Sequence, residues 1–452
     1  MPKPNGSTEQ SNNRTITDPR DAAYRHITRQ AERMPDLGLF DLKTGSLDVR
    51  DASLAHAIVD GVITRWLTLS YIISALGGRP VHDQEPRMQA VLLGGAAQLL
   101  LMDRVPPHAV IDESVEWAKN MIRPKAGGMV NAILRRVARS KGERIEHWSH
   151  HLDAIPLSNG EGLFIDGLEL PQSGLSRLSI ACSISSQIIQ RWEHQYTDPT
   201  EMAMHTLCSS PTLLYTGCAK SPIESDKLSP HDSPNHAVYR GRRADLVELL
   251  HSRDDIWVQD AASSHVVDEL ELEGEIKLIV DLCAGQGTKT RQLRSRFPNA
   301  QIIAAEVDDS RLDTLWDVFG DDEQVRVMHA EDVERDFGKA ADLVLTDVPC
   351  SNTGVLARRR EARYRPMKQQ LSRILPIQRS IAANAISLLN ETGVLVYSTC
   401  SIETDENETQ ANWIAEKYDL NLIKQRRIDP AGQPGDSPSM YNDGSFSAIL
   451  KK

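Results

Sequence analysis

The sequence predicts an α/β domain with a doubly wound parallel sheet in the C-terminal part of the chain, preceded by an all-helical domain. Three observations carry this prediction. A chain of 452 residues exceeds one ordinary domain. Its hydrophobic periodicity changes from helical spacing to short apolar runs near residue 255, and a glycine-containing turn directly follows the first of these runs.

The all-helical domain is predicted over residues 18–148. Asp18 is a favourable helix N-cap, and Pro19 fits the first helical position. Apolar residues then recur at helical spacing, for example at Ile58, Val62 and Trp66. Residues 1–17 are polar and predict a disordered tail.

The segment from residue 149 to 254 is predicted to be a linker and a small mixed subdomain. Turn formers such as Asn159-Gly160 and Gly167 are frequent at its start. A weakly apolar stretch from Ser221 to Asn235, rich in proline and serine, predicts an exposed loop.

Residues 255–452 carry the alternating pattern. The predicted buried strands are Leu278 to Leu282, Ile302 to Val307, Val325 to Met328, Leu343 to Leu345 and Val394 to Tyr397. The predicted helices are Thr290 to Phe297, Ser310 to Phe319 and Met367 to Asn390. Strands that alternate with helices predict a parallel sheet, whose ligands bind at the carboxyl ends of the strands.

Sequence patterns predict the cellular location of the protein and the state of its cysteines. We find no apolar run long enough to cross a bilayer and no secretory signal pattern, so the prediction is a cytoplasmic protein without a membrane partner. The protein is also expected to be a monomer. The six cysteines show no close CxxC pairing, which argues against a metal site and against a disulfide framework.

The net charge and the local distribution of basic residues give opposite indications about a nucleic-acid partner. The net charge of -12 argues mildly against a nucleic-acid partner. Two basic clusters oppose that total, and each is either a nucleic-acid contact or a solvated face. The first comprises Lys119, Arg123, Lys125, Arg135, Arg136, Arg139, Lys141 and Arg144, and the second comprises Arg358, Arg359, Arg360, Arg363 and Arg365.

The turn after the first strand predicts a nucleoside-binding site. Gly285 and Gly287 let the backbone approach a ligand at the start of a helix. Glu306, at the end of the second strand, is placed to accept hydrogen bonds from ribose hydroxyls. The GxGxxG spacing typical of NAD sites is missing, so an adenosyl ligand without pyrophosphate fits better.

Two cysteines follow strands on the same edge of the predicted sheet. Cys350 lies in Asp347-Val-Pro-Cys-Ser351, and Cys400 lies in Thr399-Cys-Ser401. A single cysteine is usually a small buried hydrophobic residue, but two at strand ends beside a nucleoside turn indicate thiol chemistry.

These motifs resemble those of the NOL1/NOP2/Sun family of RNA cytosine-5 methyltransferases. The resemblance rests on Asp281 to Thr290, Asp347 to Ser351 and Thr399 to Ser401, with Gln259-Asp260-Ala261, Thr353-Gly354-Val355, Arg358, Tyr364, Asp443-Gly444 and Phe446 as further matches. Val105 to Ala109 and Val130 to Arg136 resemble the NusB-like RNA-binding domain that precedes the catalytic domain in the branch acting on bacterial 16S rRNA. This chain departs at Gly285 to Thr288, where the family usually has Ala-Pro-Gly-Gly, at Glu306, where it has Asp, and at Thr404, where it has Pro.

The resemblance implies a Rossmann-like methyltransferase domain, S-adenosylmethionine as cofactor, and methylation of cytosine carbon 5 in RNA, 16S rRNA being the expected substrate. It implies that Cys400 attacks carbon 6 of the base, that Cys350 assists product release, and that Asp347 bonds the base. Lys289 either pairs with Asp347, lines the base pocket or faces water. The implied cofactor residues are Cys283, Ala284, Gly285, Gln286, Gly287, Thr288, Lys289, Glu306, Glu331, Asp332 and Asp347, and either Glu331 or Asp332 would face the adenine amine.

Two alternative functions remain open on the sequence. The altered turn and the acidic net charge are also compatible with an RNA-binding ribosome assembly factor that has lost catalysis. Within the enzyme class, tRNA is the alternative substrate. Intact Asp347, Cys350 and Cys400 favour a methyltransferase, and the NusB-like region favours ribosomal RNA.

Overall fold

A computed structural model describes residues 18–39, 41–223 and 225–452 of the chain. The predicted disordered tail lies outside these residues. The chain divides into two compact units. The first contains the described residues up to Ile145 together with Ser149–Ile155 and Leu163–Ser183, and the second contains Glu146–Trp148, Pro156–Gly162 and Ile184–Lys452.

Five helices form most of the first unit: α1 (Pro19–Ala31), α2 (Val49–Gly77), α3 (Pro86–Leu101), α4 (Pro107–Met121) and α5 (Ala126–Ser140). The Asp18 side chain accepts hydrogen bonds from the backbone nitrogens of Arg20 and Asp21. The predicted N-cap at Asp18 is therefore present.

Helix α3 lies at the centre of this helical packing, with buried residues on every side. Two glycines allow its neighbours to approach. A Cβ atom at Gly94 would lie 2.4 Å from Cε1 of Tyr24 in α1, and one at Gly95 would lie 2.7 Å from Cδ1 of Leu134 in α5. Larger residues at these positions would force the helices apart.

Helix α2 is long and apolar enough to cross a membrane by length and composition, which the sequence interpretation overlooked. Within its most apolar 18-residue window, 56% is buried inside the protein. The core helix of a soluble protein passes the same test, so one such helix is weak evidence for a membrane span.

The helical pattern ends earlier than predicted. Strand β1 (Lys141–Ile145) begins directly after α5, inside the region predicted to be entirely helical. It forms a three-stranded sheet in the order β1-β3-β2 with β2 (Ala154–Pro156) and β3 (Gly162–Ile165). No hydrophobic pattern predicts β1, because this edge strand is short, polar and largely exposed. Helix α6 (Gly174–Cys182) completes the first unit.

The second unit begins with α7 (Ser186–Gln195) and α8 (Thr200–His205), followed by a small antiparallel sheet. Its strands are β4 (Thr212–Tyr215), β5 (Leu228–Pro230), β6 (His236–Tyr239) and β7 (Trp257–Val258), in the order β5-β6-β4-β7. Helix α9 (Arg243–Ser252) lies between β6 and β7 in the chain. The stretch Ser221 to Asn235 is not a loop throughout, because β5 lies within it and pairs with β6.

The remaining helices are α10 (Ala261–Asp268), α11 (Thr288–Arg296), α12 (Asp309–Phe319), α13 (Val333–Phe337), α14 (Met367–Leu388) and α15 (Glu408–Tyr418). They alternate with the strands of a seven-stranded sheet: β8 (Leu278–Asp281), β9 (Gln301–Glu306), β10 (Val325–His329), β11 (Ala341–Asp347), β12 (Leu389–Thr399), β13 (Asn421–Ile428) and β14 (Ser445–Lys451).

The strand order is β10-β9-β8-β11-β12-β14-β13. Strands β8 to β12 are parallel, and β14 pairs antiparallel with both β12 and β13. The predicted doubly wound sheet is confirmed. Its strand order reverses between β8 and β11, and ligands bind at such switch points, outside the carboxyl ends of the strands.

Successive residues of the central strands enter two separate hydrophobic clusters. Val280 and Ile303 belong to one cluster, whereas their neighbours Ile279 and Ile302 belong to the other. Because side chains alternate along a strand, the clusters lie on opposite faces of the sheet. Both faces are therefore covered, which holds the carboxyl ends of the strands in a rigid frame.

Candidate active site

The carboxyl ends of four parallel strands bring the predicted site residues to one edge of the sheet. Asp281 ends β8, Glu306 ends β9, Asp347 ends β11, and Thr399, next to Cys400, ends β12. Residues about 120 positions apart in the chain thus meet at the switch point.

The turn between β8 and α11 consists of Leu282, Cys283, Ala284, Gly285, Gln286 and Gly287, with Thr288 and Lys289 opening the helix. Gly285 and Gly287 have φ angles of 58° and 82°, which favour glycine. A Cβ atom at Gly287 would lie 2.5 Å from Cε2 of Phe319, whereas one at Gly285 would meet nothing within 4 Å. Gly287 therefore serves packing, and Gly285 leaves open space for a ligand.

Glu306 is 4% exposed, and its side chain forms hydrogen bonds with the backbone of the loops around it. Its carboxylate accepts hydrogen bonds from the backbone nitrogens of Gly285 at 3.0 Å, Val307 at 2.9 Å and Asp308 at 3.2 Å. A carboxylate has about four lone-pair positions, so a position remains for a ligand hydroxyl. Glu306 thus fixes the glycine turn to the end of β9.

The two acids after β10 are both near the surface. The Glu331 side chain is 84% exposed. Asp332 accepts a hydrogen bond from Arg335 at 2.8 Å. Val307, which sequence reasoning did not single out, is 64% exposed beside Glu306 and offers an apolar surface at the end of β9.

Asp281 is a second residue to which sequence reasoning gave no role. Its Oδ2 atom accepts a hydrogen bond from the Thr290 hydroxyl at 2.7 Å, while its Oδ1 atom is buried and has no partner among the described residues. Burial raises the pKa of this carboxyl to about 7. Burial also raises the pKa of the neighbouring Cys283 thiol, which remains protonated at neutral pH.

Lys289 and Asp347 form an ion pair between α11 and β11. The Lys289 ammonium donates to Oδ2 of Asp347 at 2.7 Å and to the Ser263 hydroxyl at 3.2 Å. Burial disfavours the charged ammonium, but the Asp347 carboxylate outweighs it and raises the Lys289 pKa. The lysine therefore pairs with Asp347 and does not face water. Ser398 donates to the other Asp347 oxygen at 2.8 Å, so the carboxylate is held from two sides.

The thiols of Cys350 and Cys400 lie 3.0 Å apart. This sulfur–sulfur distance is longer than a disulfide bond and corresponds to a thiol hydrogen bond. The Cys350 side chain is buried, and its pKa is raised well above its usual range by the hydrogen bond to Cys400 and by burial. Cys400 is more exposed, and it also lies 3.3 Å from Oδ1 of Asn352, a contact that sequence reasoning missed.

Gly354 packs against the loop that carries Cys400. Its backbone nitrogen donates to the Cys400 carbonyl at 3.0 Å, and its carbonyl accepts from the nitrogen of Gly444 at 2.6 Å. A Cβ atom at Gly354 would lie 2.7 Å from both carbonyl oxygens, of Cys400 and of Gly444. A glycine is therefore required for this close approach.

Family models match both halves of the chain. Residues 269–440 match the model described as 16S rRNA methyltransferase RsmB/F, and residues 19–139 match the NusB family. Residues 269–440 of this chain are therefore similar to the RsmB/F methyltransferases, and residues 19–139 are similar to the NusB family.

Curated relatives are similar in sequence to this chain over most of their length. The ribosomal RNA small subunit methyltransferase B of Vibrio cholerae is 27% identical over 411 residues, which cover 89% of this chain and 90% of that protein. The enzyme of the same name from Yersinia enterocolitica is 27% identical and covers 90% of this chain and 92% of its own. The solved structure of PH0851, with 18% identity and a TM-score of 0.68, covers 96% of this chain and 99% of its own and supports the fold.

S-adenosylmethionine is the cofactor of this methyltransferase family, and the residues at the switch point fit it. The unpartnered, buried Oδ1 of Asp281 matches a cationic amino group. The open space at Gly285 admits a ligand against the backbone. The remaining lone pair of Glu306 suits a ribose hydroxyl.

Two arginines of the second basic cluster have structural contacts within this methyltransferase. Arg358 donates to Asp443 at 2.6 Å and to Asp260 at 3.0 Å. Arg363 is fully buried and donates to the carbonyls of Leu356 and Thr206. These two arginines are neither a solvated face nor free to contact phosphates. Arg358 joins the segments that carry Asp260 and Asp443, and Arg363 joins those that carry Leu356 and Thr206.

Proposed function

We propose that this enzyme methylates carbon 5 of a cytosine in RNA through a covalent cysteine adduct, with 16S rRNA as its substrate. The observation that carries the proposal is the pair of thiols 3.0 Å apart, at the sheet edge that also bears Asp347. The names of the curated relatives, ribosomal RNA small subunit methyltransferase B, support the choice of RNA.

Carbon 5 of cytosine is too weak a nucleophile to accept a methyl group unaided. Addition of a thiolate to carbon 6 turns the base into an enamine whose carbon 5 is nucleophilic. S-adenosylmethionine supplies the electrophilic methyl group when bound. Carbon 5 would form its new bond to that methyl group as the bond between the methyl carbon and the cofactor sulfur breaks, with the electron pair of the broken bond left on the sulfur.

Cys400 is the better candidate for the attack. It is more exposed than Cys350, so a base can reach it. Cys350 keeps its proton because its pKa is raised by the hydrogen bond to Cys400 and by burial. Cys350 can therefore donate a hydrogen bond to the Cys400 sulfur, the atom that would attack the base.

Asp347 is placed to bind the polar edge of the base. Lys289 and Ser398 each occupy one of its oxygens and hold the carboxylate in one orientation. Such a preorganised group can accept a hydrogen bond from the exocyclic amine and stabilise charge that develops on the ring. The base must be unpaired or flipped out, because carbon 6 is inaccessible inside a helix.

Release requires loss of the proton from carbon 5. When a water molecule takes that proton, the electron pair of the C–H bond restores the 5,6 double bond, and the bond between Cys400 and carbon 6 breaks to return the thiolate. Cys350, which contacts the Cys400 sulfur, is the group that assists this elimination.

A denaturing gel with RNA and cofactor tests the two cysteine roles. Cys400→Ala should abolish both methyl transfer and the covalent RNA adduct, because the nucleophile is missing. Cys350→Ala should accumulate a methylated protein–RNA species, because attack persists while elimination is impaired. Cys208→Ala, at a buried cysteine remote in sequence from both motifs, is the matched control and should behave as wild type.

The reverse pattern, an adduct with Cys400→Ala and none with Cys350→Ala, would exchange the two roles. Variants that still methylate without forming any adduct would exclude the covalent mechanism. Bisulfite sequencing of total RNA with and without the protein identifies the substrate, and a site in tRNA instead of 16S rRNA would contradict the proposed substrate.

A further inference from the structure

Glu406 is a fully buried acid in the segment between Cys400 and α15. Its Oε1 atom accepts hydrogen bonds from the backbone nitrogen of Ser351 at 2.9 Å and from the Gln378 side chain at 3.0 Å. Its Oε2 atom accepts from the hydroxyl of Ser401 at 2.6 Å and from the hydroxyl of Ser351. All four lone-pair positions of the carboxylate are therefore used.

Two of these hydrogen-bond partners are the chain neighbours of the two thiols. Ser351 directly follows Cys350, and Ser401 directly follows Cys400. One carboxylate thus bonds the residue next to each thiol. The two serine hydroxyls also lie 3.1 Å from each other, and the Ser401 hydroxyl lies 3.1 Å from that of Thr353.

Asn407 holds the Cys400 loop from its other side. Its side-chain oxygen accepts from the Thr399 hydroxyl at 2.6 Å, and its side-chain nitrogen donates to the Ser401 carbonyl at 2.9 Å. The residues on both sides of Cys400 are therefore fixed by one carboxamide. Glu406 then connects this fixed loop to the loop that carries Cys350.

Stability does not explain a buried carboxylate well. Removal of a carboxylate from water carries a large desolvation cost, and replacement of buried ion pairs by hydrophobic residues is often neutral for stability. Burial raises the pKa of Glu406, which reflects this cost. A role in the geometry of the two thiols accounts for a carboxylate at this buried position.

The geometry points to Glu406 as a positioning residue that sets the separation of the Cys350 and Cys400 thiols. This inference rests on the proposed covalent reaction, in which both thiols serve one base. Charge-assisted hydrogen bonds are about twice as strong as neutral ones, so loss of the negative charge loosens both loops.

Glu406→Gln is the test variant because it keeps the shape of the side chain. The amide oxygen can occupy the Oε1 position, where both partners are N–H donors, and the amide nitrogen then faces the two serine hydroxyls, which can rotate to accept. The matched control is Glu403→Gln. Glu403 is equally buried in the same segment, but its carboxylate pairs with Arg191 and bonds neither serine.

The first measurement needs no RNA. The rate of iodoacetamide alkylation is followed for each cysteine by mass spectrometry. We expect Glu406→Gln to raise the alkylation rate of Cys350 several-fold, because the loop that buries it loosens. The rate for Cys208 should stay unchanged in the same sample. Glu403→Gln should leave Cys350 at its wild-type rate.

The second measurement separates positioning from folding. Displacement of a catalytic group by about 1 Å costs on the order of a hundredfold in rate. We therefore expect Glu406→Gln to lower kcat for RNA methylation at least about tenfold, while the calorimetric Kd for S-adenosylmethionine stays unchanged. If this variant does not fold, Ser401→Ala, which removes one of the four bonds, should give a smaller change in the same direction.

Unchanged Cys350 alkylation together with unchanged kcat in Glu406→Gln overturns the inference. An equal loss of kcat in Glu403→Gln also overturns it, because any buried charge would then have the same effect. If wild-type protein methylates no RNA but Glu406→Gln still exposes Cys350, the proposed function fails while the link between the two loops stands.

Discussion

Asp281 shows how a single buried group can carry a pH dependence. Its pKa is raised to about 7 by burial, whereas an unfolded aspartate titrates near 3.8. Between these values the folded chain holds a proton that the unfolded chain has released. The free energy of unfolding therefore falls as pH rises through this window.

We expect Asp281→Asn to remove this dependence. The difference in free energy of unfolding, wild type minus variant, should decrease steadily from about pH 4 to about pH 7. Chemical denaturation across this range measures it. The control is Asp313→Asn, which changes an exposed carboxyl on α12, and its curve should run parallel to wild type. A constant difference for Asp281→Asn would show that the carboxyl is ionised throughout.

Some site residues could be predicted from sequence because they follow buried strands. Lys289, Glu306, Asp347, Cys350 and Cys400 are all near strand ends, and the parallel sheet brings those ends together. The contact of Lys289 with Asp347 was one of three open alternatives, since periodicity does not tell where a long side chain points.

Glu406 and Asn352 could not be found in this way. Glu406 lies in a polar segment that looks solvent-exposed in sequence, and its partner Ser351 is 55 residues away. Burial of a polar loop depends on the tertiary structure around it. Glu306 shows the opposite case, in which the residue was found but its three backbone bonds were not.

At the scale of elements, the arginines of the first basic cluster that lie on α5 differ from the cluster members that form ion pairs with carboxylates. Lys119 pairs with Glu116, Arg123 with Glu85, and Lys141 and Arg144 with Asp103. On α5, Arg135 and Arg136 bond Asn131 and the Leu76 carbonyl, and Arg139 bonds the Arg135 carbonyl. The three α5 arginines are therefore not neutralised by a carboxylate among the described ion pairs.

Replacement of Arg135, Arg136 and Arg139 by Ala should weaken RNA binding and flatten its salt dependence. Each lost phosphate contact lowers the slope of log affinity against log salt by about 0.7 to 0.9. The control is the triple variant of Lys119, Arg123 and Arg144 to Ala, which removes the same charge from residues that already have carboxylate partners. If both variants change the slope equally, α5 makes no specific phosphate contact.

Hydrophobic patterns in the sequence predict some of the strands and not others. The five strands β8 to β12 were all predicted, because each is a buried apolar run. Strand β13 was missed, since its residues are mostly exposed and polar at the edge of the sheet. Strand β1 was missed for the same reason. Edge strands obtain their structure from a partner strand and not from their own hydrophobic pattern.

At the scale of the whole molecule, each of the two units is made of several separate segments of the chain. The segments Glu146–Trp148 and Pro156–Gly162 belong to the second unit although they precede α6 of the first. Gly160 shows why: a Cβ atom there would lie 2.5 Å from the carbonyl oxygen of Pro434. Gly160 and Gly435 have φ angles of 87° and 94°, so both glycines permit this close backbone contact.

A fragment of residues 146–452 should therefore bind S-adenosylmethionine as the full chain does, because every candidate cofactor residue and the seven-stranded sheet lie within it. A fragment of residues 184–452 lacks the contact at Gly160 and should have a lower Tm. The longer fragment also lacks α5, so its RNA-binding salt slope should fall at least to that of the triple arginine variant. Calorimetry with the cofactor and RNA binding at several salt concentrations measure both properties. A folded 146–452 fragment that fails to bind the cofactor would show that the first unit supplies part of the site, and an unchanged salt slope would place the RNA contacts entirely on the methyltransferase unit.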